Sequence, residues 1–185
     1  TTGAALHIAH VNSTAGDDVA AWLEAIGRAR GLGQDVTTEV YPYTAGATLI
    51  QSALYDDWET WPDARFARFQ WAASGEWLTR ETFGRYRAAG GSVIAHGNTE
   101  ASLRVGLAHP LPLFASDGGR DPQERPTHPR ATGTFARILG HYVRDRQLMT
   151  FEEGILRLTG LPAANWQLHD RGCLRPGCHA DIVVF

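Results

Sequence analysis

Apolar and polar positions along this chain switch repeatedly between a two-residue and a helical period. Leu6-His7-Ile8-Ala9-His10-Val11 reads as a buried strand, followed by an Asn-Ser-Thr-Ala-Gly-Asp turn. From about Asp17 to Arg30 the period lengthens. Val19, Trp22, Leu23 and Ile26 share one helical face, and Gly31 and Gly33 stop the helix. Asp35 to Tyr43 is a second strand, β-branched at Val36, Thr37, Thr38 and Val40 and closed by Pro42. Residues 45–78 have weaker periodicity, carry four of the six Trp, and read as an insertion with short helices. Thr79 to Ala89 is helical, with Thr79 as N-cap and Gly90-Gly91 as the stop. Ser92 to His96 predicts a third strand, Thr99 to Ala108 a helix, and Leu111 to Ser116 a fourth strand running into Asp117-Gly118-Gly119. After a Pro/Arg-rich loop (120–132), helices are expected over Thr134–Arg146 and from Thr150 to about Leu158, the second opened by a capping-box pattern. A turn-rich stretch, 170–177, then leads into a final strand, Asp181 to Phe185.

Four β-then-α units in succession imply an α/β fold with a parallel sheet and helical crossovers. An open doubly wound sheet fits this pattern, and so does part of a (β/α)8 barrel. A complete barrel needs eight units and ~250 residues, so a barrel reading makes this chain one half. The ends agree with that expectation. The chain opens on Thr1 without an initiator Met and stops at Phe185 inside an apolar run. Half a barrel exposes two sheet edges that closure would pair, so residues 1–185 alone are expected to be inactive and aggregation-prone.

Composition narrows the chemistry. Of 185 residues, 17 are basic and 20 acidic, for a net charge of −3, and every basic residue is Arg. Schiff-base, phosphate-loop and carbamylated lysines are thereby excluded from this stretch. With no basic block, a nucleic-acid partner is not expected. No apolar run approaches the ~18–20 residues of a membrane span. Cys173 and Cys178 read as incidental thiols around a turn, since a structural zinc site needs four ligands. Without a signal-peptide pattern the expected compartment is the cytoplasm.

The candidate chemistry is positional. His10, Glu39, His96 and Asp117 each fall at or near the C-terminal end of a predicted strand, the functional edge of parallel α/β folds. Two imidazoles and two carboxylates on one rim suit a divalent metal, with one carboxylate left for proton transfer. His7, three residues before His10, points to the opposite face by strand alternation. Tyr41-Pro42-Tyr43 suits a substrate wall. The loop bearing Thr127-His128-Pro129-Arg130 folds over Asp117, and Arg130 offers a fork shaped for a carboxylate.

Several runs are familiar: VYPYTAGAT (40–48), ASDGG (115–119), HPRATGTFARILGHYVRD (128–145), LTGLPA (158–163) and RGCLRPGCHADIVVF (171–185). Together they resemble the N-acyl-D-amino-acid deacylases of the amidohydrolase superfamily. HVNS (10–13) and TEVYPY (38–43) look closer to the branch with D-glutamate-type deacylases. The resemblance implies the C-terminal half of a metal-dependent barrel, strands five to eight, over residues 1–168. Residues 169–185 would then return to a small flanking β-sandwich. It further implies one or two Zn2+ ions, held partly by residues upstream. His10 would be the fifth-strand ligand and Asp117 the eighth-strand acid/base, with the third ligand left between His96 and Glu39. Arg130, Tyr43 and His128 would bind an N-acyl-D-amino-acid substrate, a small molecule whose amide is hydrolysed. Two alternatives stay open: a cyclic-amide hydrolase of the dihydroorotase or hydantoinase type, and a metal-free homologue with a structural or binding role.

Overall fold

The computed structural model describes residues 3–120 and 127–185, so positions 121–126 of the expected 120–132 loop lie outside it. The strands, in chain order, are β1 (Leu6–Ile8), β2 (Val36–Val40), β3 (Ala45–Leu49), β4 (Phe69–Trp71), β5 (Ser92–His96) and β6 (Leu113–Phe114). The α-helices are α1 (Val11–Ala15), α2 (Val19–Gly31), α3 (Asp63–Phe66), α4 (Arg80–Ala89), α5 (Glu100–Ala108), α6 (Arg130–Arg137), α7 (Phe151–Leu158) and α8 (Gly160–Asn165).

β1, β2 and β6 form a parallel sheet in that order, with Leu6 opposite Val36 and Val40 opposite Phe114. Each later strand adds at the same edge of this sheet. Val36, Thr38 and Val40 turn one face of β2 into a core shared with Val19, Leu23 and Ile26 of α2 and Leu103 and Leu107 of α5. Thr38, the polar member of that buried row, is satisfied because its hydroxyl donates to the Ile8 carbonyl at 2.7 Å. Thr37 and Glu39 alternate onto the opposite face.

The expectation of four parallel strands is corrected to three among the described residues. Ser92–His96 instead forms the centre of an antiparallel sheet, ordered β3-β5-β4, with Ala45 opposite His96 and Trp71 opposite Val93. The alternation in SVIAH encodes a half-buried strand but not its partner. The partners are supplied by the segment between β2 and α4, which folds back onto it. The insertion expected over 45–78 therefore extends through His96. It has its own core, in which Tyr55, Trp61, Phe66, Phe69 and Phe83 pack edge-to-face and stacked.

Helix starts follow the sequence closely. The Thr79 hydroxyl accepts from the Thr82 N–H at 3.2 Å, and the Thr82 hydroxyl accepts from the Thr79 N–H at 2.9 Å. Thr99 and Ser102 repeat this reciprocal cap on α5, and Thr150 accepts from the Glu153 N–H at α7. Each cap contributes about 1 kcal/mol. The helix expected over Thr134–Arg146 begins earlier, at Arg130, and passes into a π-helical segment, Ile138–Asp145. There the wider turn presents Ile138, Tyr142 and Val143 to the core.

Arg157 of α7 is almost completely buried. Its Nη1 donates to the Leu107 carbonyl at 2.7 Å and its Nε to the Pro112 carbonyl at 3.0 Å, while the guanidinium lies 4.0 Å from the Phe114 ring centre. Burial pulls its pKa down to about 10. This one side chain ties α7 to the end of α5 and the start of β6.

Two expectations near the C-terminus are also corrected. Asp181–Phe185 is not a strand among the described residues, since no backbone ladder accompanies it. Ile182 to Phe185 are exposed, with the Phe185 ring 6.0 Å from Phe151. Cys173 and Cys178 are joined in a disulfide rather than standing as incidental thiols. Among the described residues no helix is long and apolar enough to cross a membrane.

Candidate active site

Two backbone conformations mark the ends of the parallel strands. His10, two residues past β1, has φ 36° and ψ 57°, and Asp117, three residues past β6, has φ 46°. Only four described non-glycine residues have positive φ, and the leading candidate ligand and acid/base are two of them. Such conformations cost of order 1 kcal/mol or more and persist where surroundings enforce them, often at functional sites. At His10 the enforcement is local. The left-handed turn ends β1 before Val11, and the His10 carbonyl accepts the Ser13 and Thr14 N–H groups that open α1.

The His10 ring is anchored through Nδ1, which lies 2.9 Å from the Ser13 hydroxyl and 3.2 Å from the Thr14 hydroxyl. Its ring centre is 6.5 Å from that of Tyr41, which is fully buried. Tyr41 leads on to the second half of the site, because the Arg130 guanidinium lies 4.7 Å from the Tyr41 ring centre. Burial raises the Tyr41 pKa; Ser13 and Arg130 oppose this, and the Asp117 charge adds to the rise. Arg130, from the first turn of α6, pairs through Nη1 with Asp117 at 2.8 Å and donates through Nη2 to the Ala47 carbonyl of β3 at 3.0 Å. The fork therefore holds the acid/base candidate with one prong and the insertion with the other.

Close approach of the Asp117 loop to α6 depends on Gly118. A Cβ there would sit 2.6 Å from the Ala131 Cα, a backbone contact that nothing nearby can relieve. This explains why the acid is followed by glycine.

The other predicted residues are distributed differently. Glu39 pairs with His7, Oε2 to Nε2 at 3.2 Å, while His7 Nδ1 lies 2.7 Å from the Thr37 hydroxyl. In-register parallel strands put His7, Thr37 and Glu39 on one sheet face. His96 belongs to the insertion, where its Nε2 lies 2.8 Å from Gln70 Oε1, and burial lowers its pKa. Among the described residues no three His, Cys, Asp or Glu side chains are grouped as a metal site, so His10, His96 and Glu39 do not converge. Tyr43 directs its hydroxyl at the Pro129 carbonyl, 3.5 Å away, and meets His128 edge-on at 5.3 Å. It braces the Pro129–Arg130 corner, and Tyr41 is the tyrosine next to Arg130.

His128 is buried, and its Nδ1 accepts the Arg130 N–H at 3.0 Å, which puts the ring proton on Nε2. Burial, then the Arg130 charge and His96, lower its pKa to about 4. Between pH 6.5 and about 4 the unfolded chain binds a proton at this position that the folded chain refuses. Stability is therefore expected to fall as pH drops through that window. His128→Gln, which keeps an acceptor for the Arg130 N–H, should flatten the fall. Urea midpoints at pH 7 and pH 4.5 check this, and an unchanged pH dependence in the variant removes His128 as the source.

Sequence reasoning passed over Ser13 and Thr14, set His7 aside as facing away, and placed Tyr41 only in a substrate wall with Tyr43. The i, i+3 and i, i+4 spacing of His10 to Ser13 and Thr14 was a usable signal, obscured because the stretch reads as a turn. The His7–Glu39 pair was hidden by the register of β1 on β2, which no local pattern states.

The amidohydrolase family matches residues 6–185. Among characterised proteins, N-acyl-D-glutamate deacylase of Alcaligenes xylosoxydans xylosoxydans is 33% identical over 173 residues, spanning 90% of this chain and 35% of that protein. A crystal structure of N-acyl-D-glutamate deacylase from Bordetella bronchiseptica, with zinc and a phosphonate mimic of the tetrahedral intermediate, superposes with a TM-score of 0.79 at 30% identity. It covers 97% of this chain and 40% of that one. A D-aminoacylase structure concerned with a binuclear metal centre gives a TM-score of 0.73 at 29% identity, with 96% and 39% coverage. The chain thus spans little more than a third of these relatives. The matched region runs from β1 through both strained strand ends to Phe185, and on that match the chain belongs to the amidohydrolase family.

Proposed function

We propose that this chain supplies the C-terminal barrel strands and the acid/base of an N-acyl-D-amino-acid deacylase, with acidic D-residues as the preferred substrates. The observation that carries the reading is the continuous linkage from His10 through Tyr41 and Arg130 to Asp117, with a strained strand end at each extremity. Three parallel strands in chain order are proposed as the last of a (β/α)8 barrel, in place of strands five to eight, with β3 to β5 an insertion beside the site. The deacylases named above support the substrate class, and the match to D-glutamate enzymes supports the acidic side chain.

His10 fits a metal. Its Nδ1 is engaged by hydroxyls while no hydrogen bond among the described residues involves Nε2. The remaining ligands are proposed to come from residues other than those of this group. A divalent ion such as Zn2+, when bound, supplies Lewis-acid polarisation of the acyl carbonyl and lowers a water pKa to about 7. Asp117 takes the proton of the attacking water and returns it to the departing amine, the exchange that an acyl transfer to water requires. Arg130 would orient the substrate α-carboxylate by turning to it the Nη1 that now faces Asp117, with Tyr43 and the Nε2–H of the neutral His128 as further donors beside it.

The test is hydrolysis of N-acetyl-D-Glu and N-acetyl-D-Met by the full-length protein with added zinc, read as released amine. Faster turnover of the D-Glu substrate is expected, with the L-enantiomers inert. Absence of hydrolysis of either D-substrate overturns the reading, and preference for D-Met overturns the acidic assignment.

A further inference from the structure

The hydrogen bonds around His10 carry more than its position. Apart from the Tyr41 hydroxyl, which can donate to the Ser13 oxygen without using any of them, three protons are available there: one each on the Ser13 and Thr14 hydroxyls and one on the neutral imidazole. They face four contacts. The Ser13 Oγ lies 3.1 Å from the His10 carbonyl and 2.9 Å from Nδ1. The Thr14 Oγ1 lies 3.3 Å from the Ala9 carbonyl and 3.2 Å from Nδ1. A carbonyl can only accept. If each hydroxyl donates to its carbonyl and Nδ1–H is shared between the two oxygens, every contact is a hydrogen bond. If Nδ1 is bare, one hydroxyl must leave its carbonyl to reach it. The other hydroxyl then either leaves Nδ1 facing an oxygen lone pair or competes for the same nitrogen. At least two of the four contacts become repulsive.

We propose that Ser13 and Thr14 are positioning residues that lock His10 as the Nδ1–H tautomer and so leave Nε2 a bare lone pair. The proposal deepens the reading of His10 as a ligand and rests on it for its purpose, though the tautomer itself does not depend on any metal. The device explains the strained backbone. The left-handed conformation of His10 starts α1 within one residue, and α1 is what brings positions 13 and 14 back over the ring of residue 10. An imidazole that must present one nitrogen to a cation is usually fixed by a hydrogen bond from the other. Here a helical turn of the same chain does this, with two hydroxyls in place of a carboxylate.

The experiment is selective 15N-histidine labelling of the metal-free full-length protein, with His10→Gln to assign the resonance and long-range 1H–15N correlation to read the tautomer. Nδ1–H is expected for His10 in the wild-type protein. In the Ser13→Ala/Thr14→Val double variant a shift toward Nε2–H is expected, together with a 10- to 100-fold loss of zinc affinity. Ser13→Thr, which keeps the hydroxyl, should retain both wild-type properties. An Nε2–H tautomer in the wild-type protein overturns the proposal without need of any variant. So does a double variant whose tautomer is unchanged. A wild-type Nδ1–H tautomer that the double variant loses, in a protein that takes up no zinc, sustains the positioning role and removes the metal reading instead.

Discussion

Asn in place of Asp117 is expected to slow amide hydrolysis by the full-length protein about 10²- to 10⁴-fold, the range a positioned proton-transfer group contributes, and to leave its metal content unchanged. The carboxamide keeps the size of the side chain and can still accept from Arg130, but it cannot take a proton from water. The loss should fall on kcat. KM should change little, because the residues assigned to the α-carboxylate, Arg130, Tyr43 and His128, remain in place. One structural consequence accompanies the kinetic one. Arg130 is 4% exposed and would face a neutral partner at 2.8 Å, so its charge loses its only ion pair among the described residues. The orphaned charge is the buried one, so a destabilisation of roughly 1–3 kcal/mol is expected, moderated by the carboxamide oxygen that still accepts. Steady-state kinetics, metal analysis and a thermal melt on one preparation separate these effects. Activity within about tenfold of wild type, at equal metal content, removes Asp117 from proton transfer.

Arg157→Ala is expected to be the most damaging single change to stability, at about 3–5 kcal/mol. The substitution leaves the Leu107 and Pro112 carbonyls without their buried donor, at roughly 1–3 kcal/mol each, and opens a cavity against Phe114. For a chain of this size that corresponds to a fall in Tm of about 6–20 °C. The effect should reach the site as well, because β6 runs from Pro112 toward Asp117 within a few residues. Arg157→Lys keeps the charge but has one nitrogen for acceptors that now take two, and should recover only part of the loss. Thermal melts of the three proteins check the order wild type, Lys, Ala; equal melting temperatures for wild type and Ala would show that α7 is held by its apolar contacts alone.

The proposed linkage was partly legible in the sequence. His10, Asp117 and Arg130, which it joins, each carry a local signal: a polar residue at a strand end, an acid followed by two glycines, and an arginine after a proline in the next loop. Glu39 and His96 carried the same kind of signal and belong to other groupings. Glu39 is drawn to His7 by strand register, and His96 to Gln70 by a sheet assembled from residues 45 to 96. A strand-end position states which edge of its own sheet a residue occupies. It does not state which sheet.

By itself the sequence determined many of the elements, though not β3 or β4, and it offered a strand over Asp181–Phe185 that does not form. Capping threonines at 79, 99 and 150, the β-branched row in VTTEV and the glycine stops placed helices and strands within a few residues, because these signals act through the nearest turns of backbone. The tertiary structure alone decided partnership. It set three parallel strands instead of four, the His7–Glu39 pair, Tyr41 rather than Tyr43 beside Arg130, and the disulfide between Cys173 and Cys178. Each of these depends on which segment fills a given space, and the free energy of that choice lies in contacts between residues far apart along the chain.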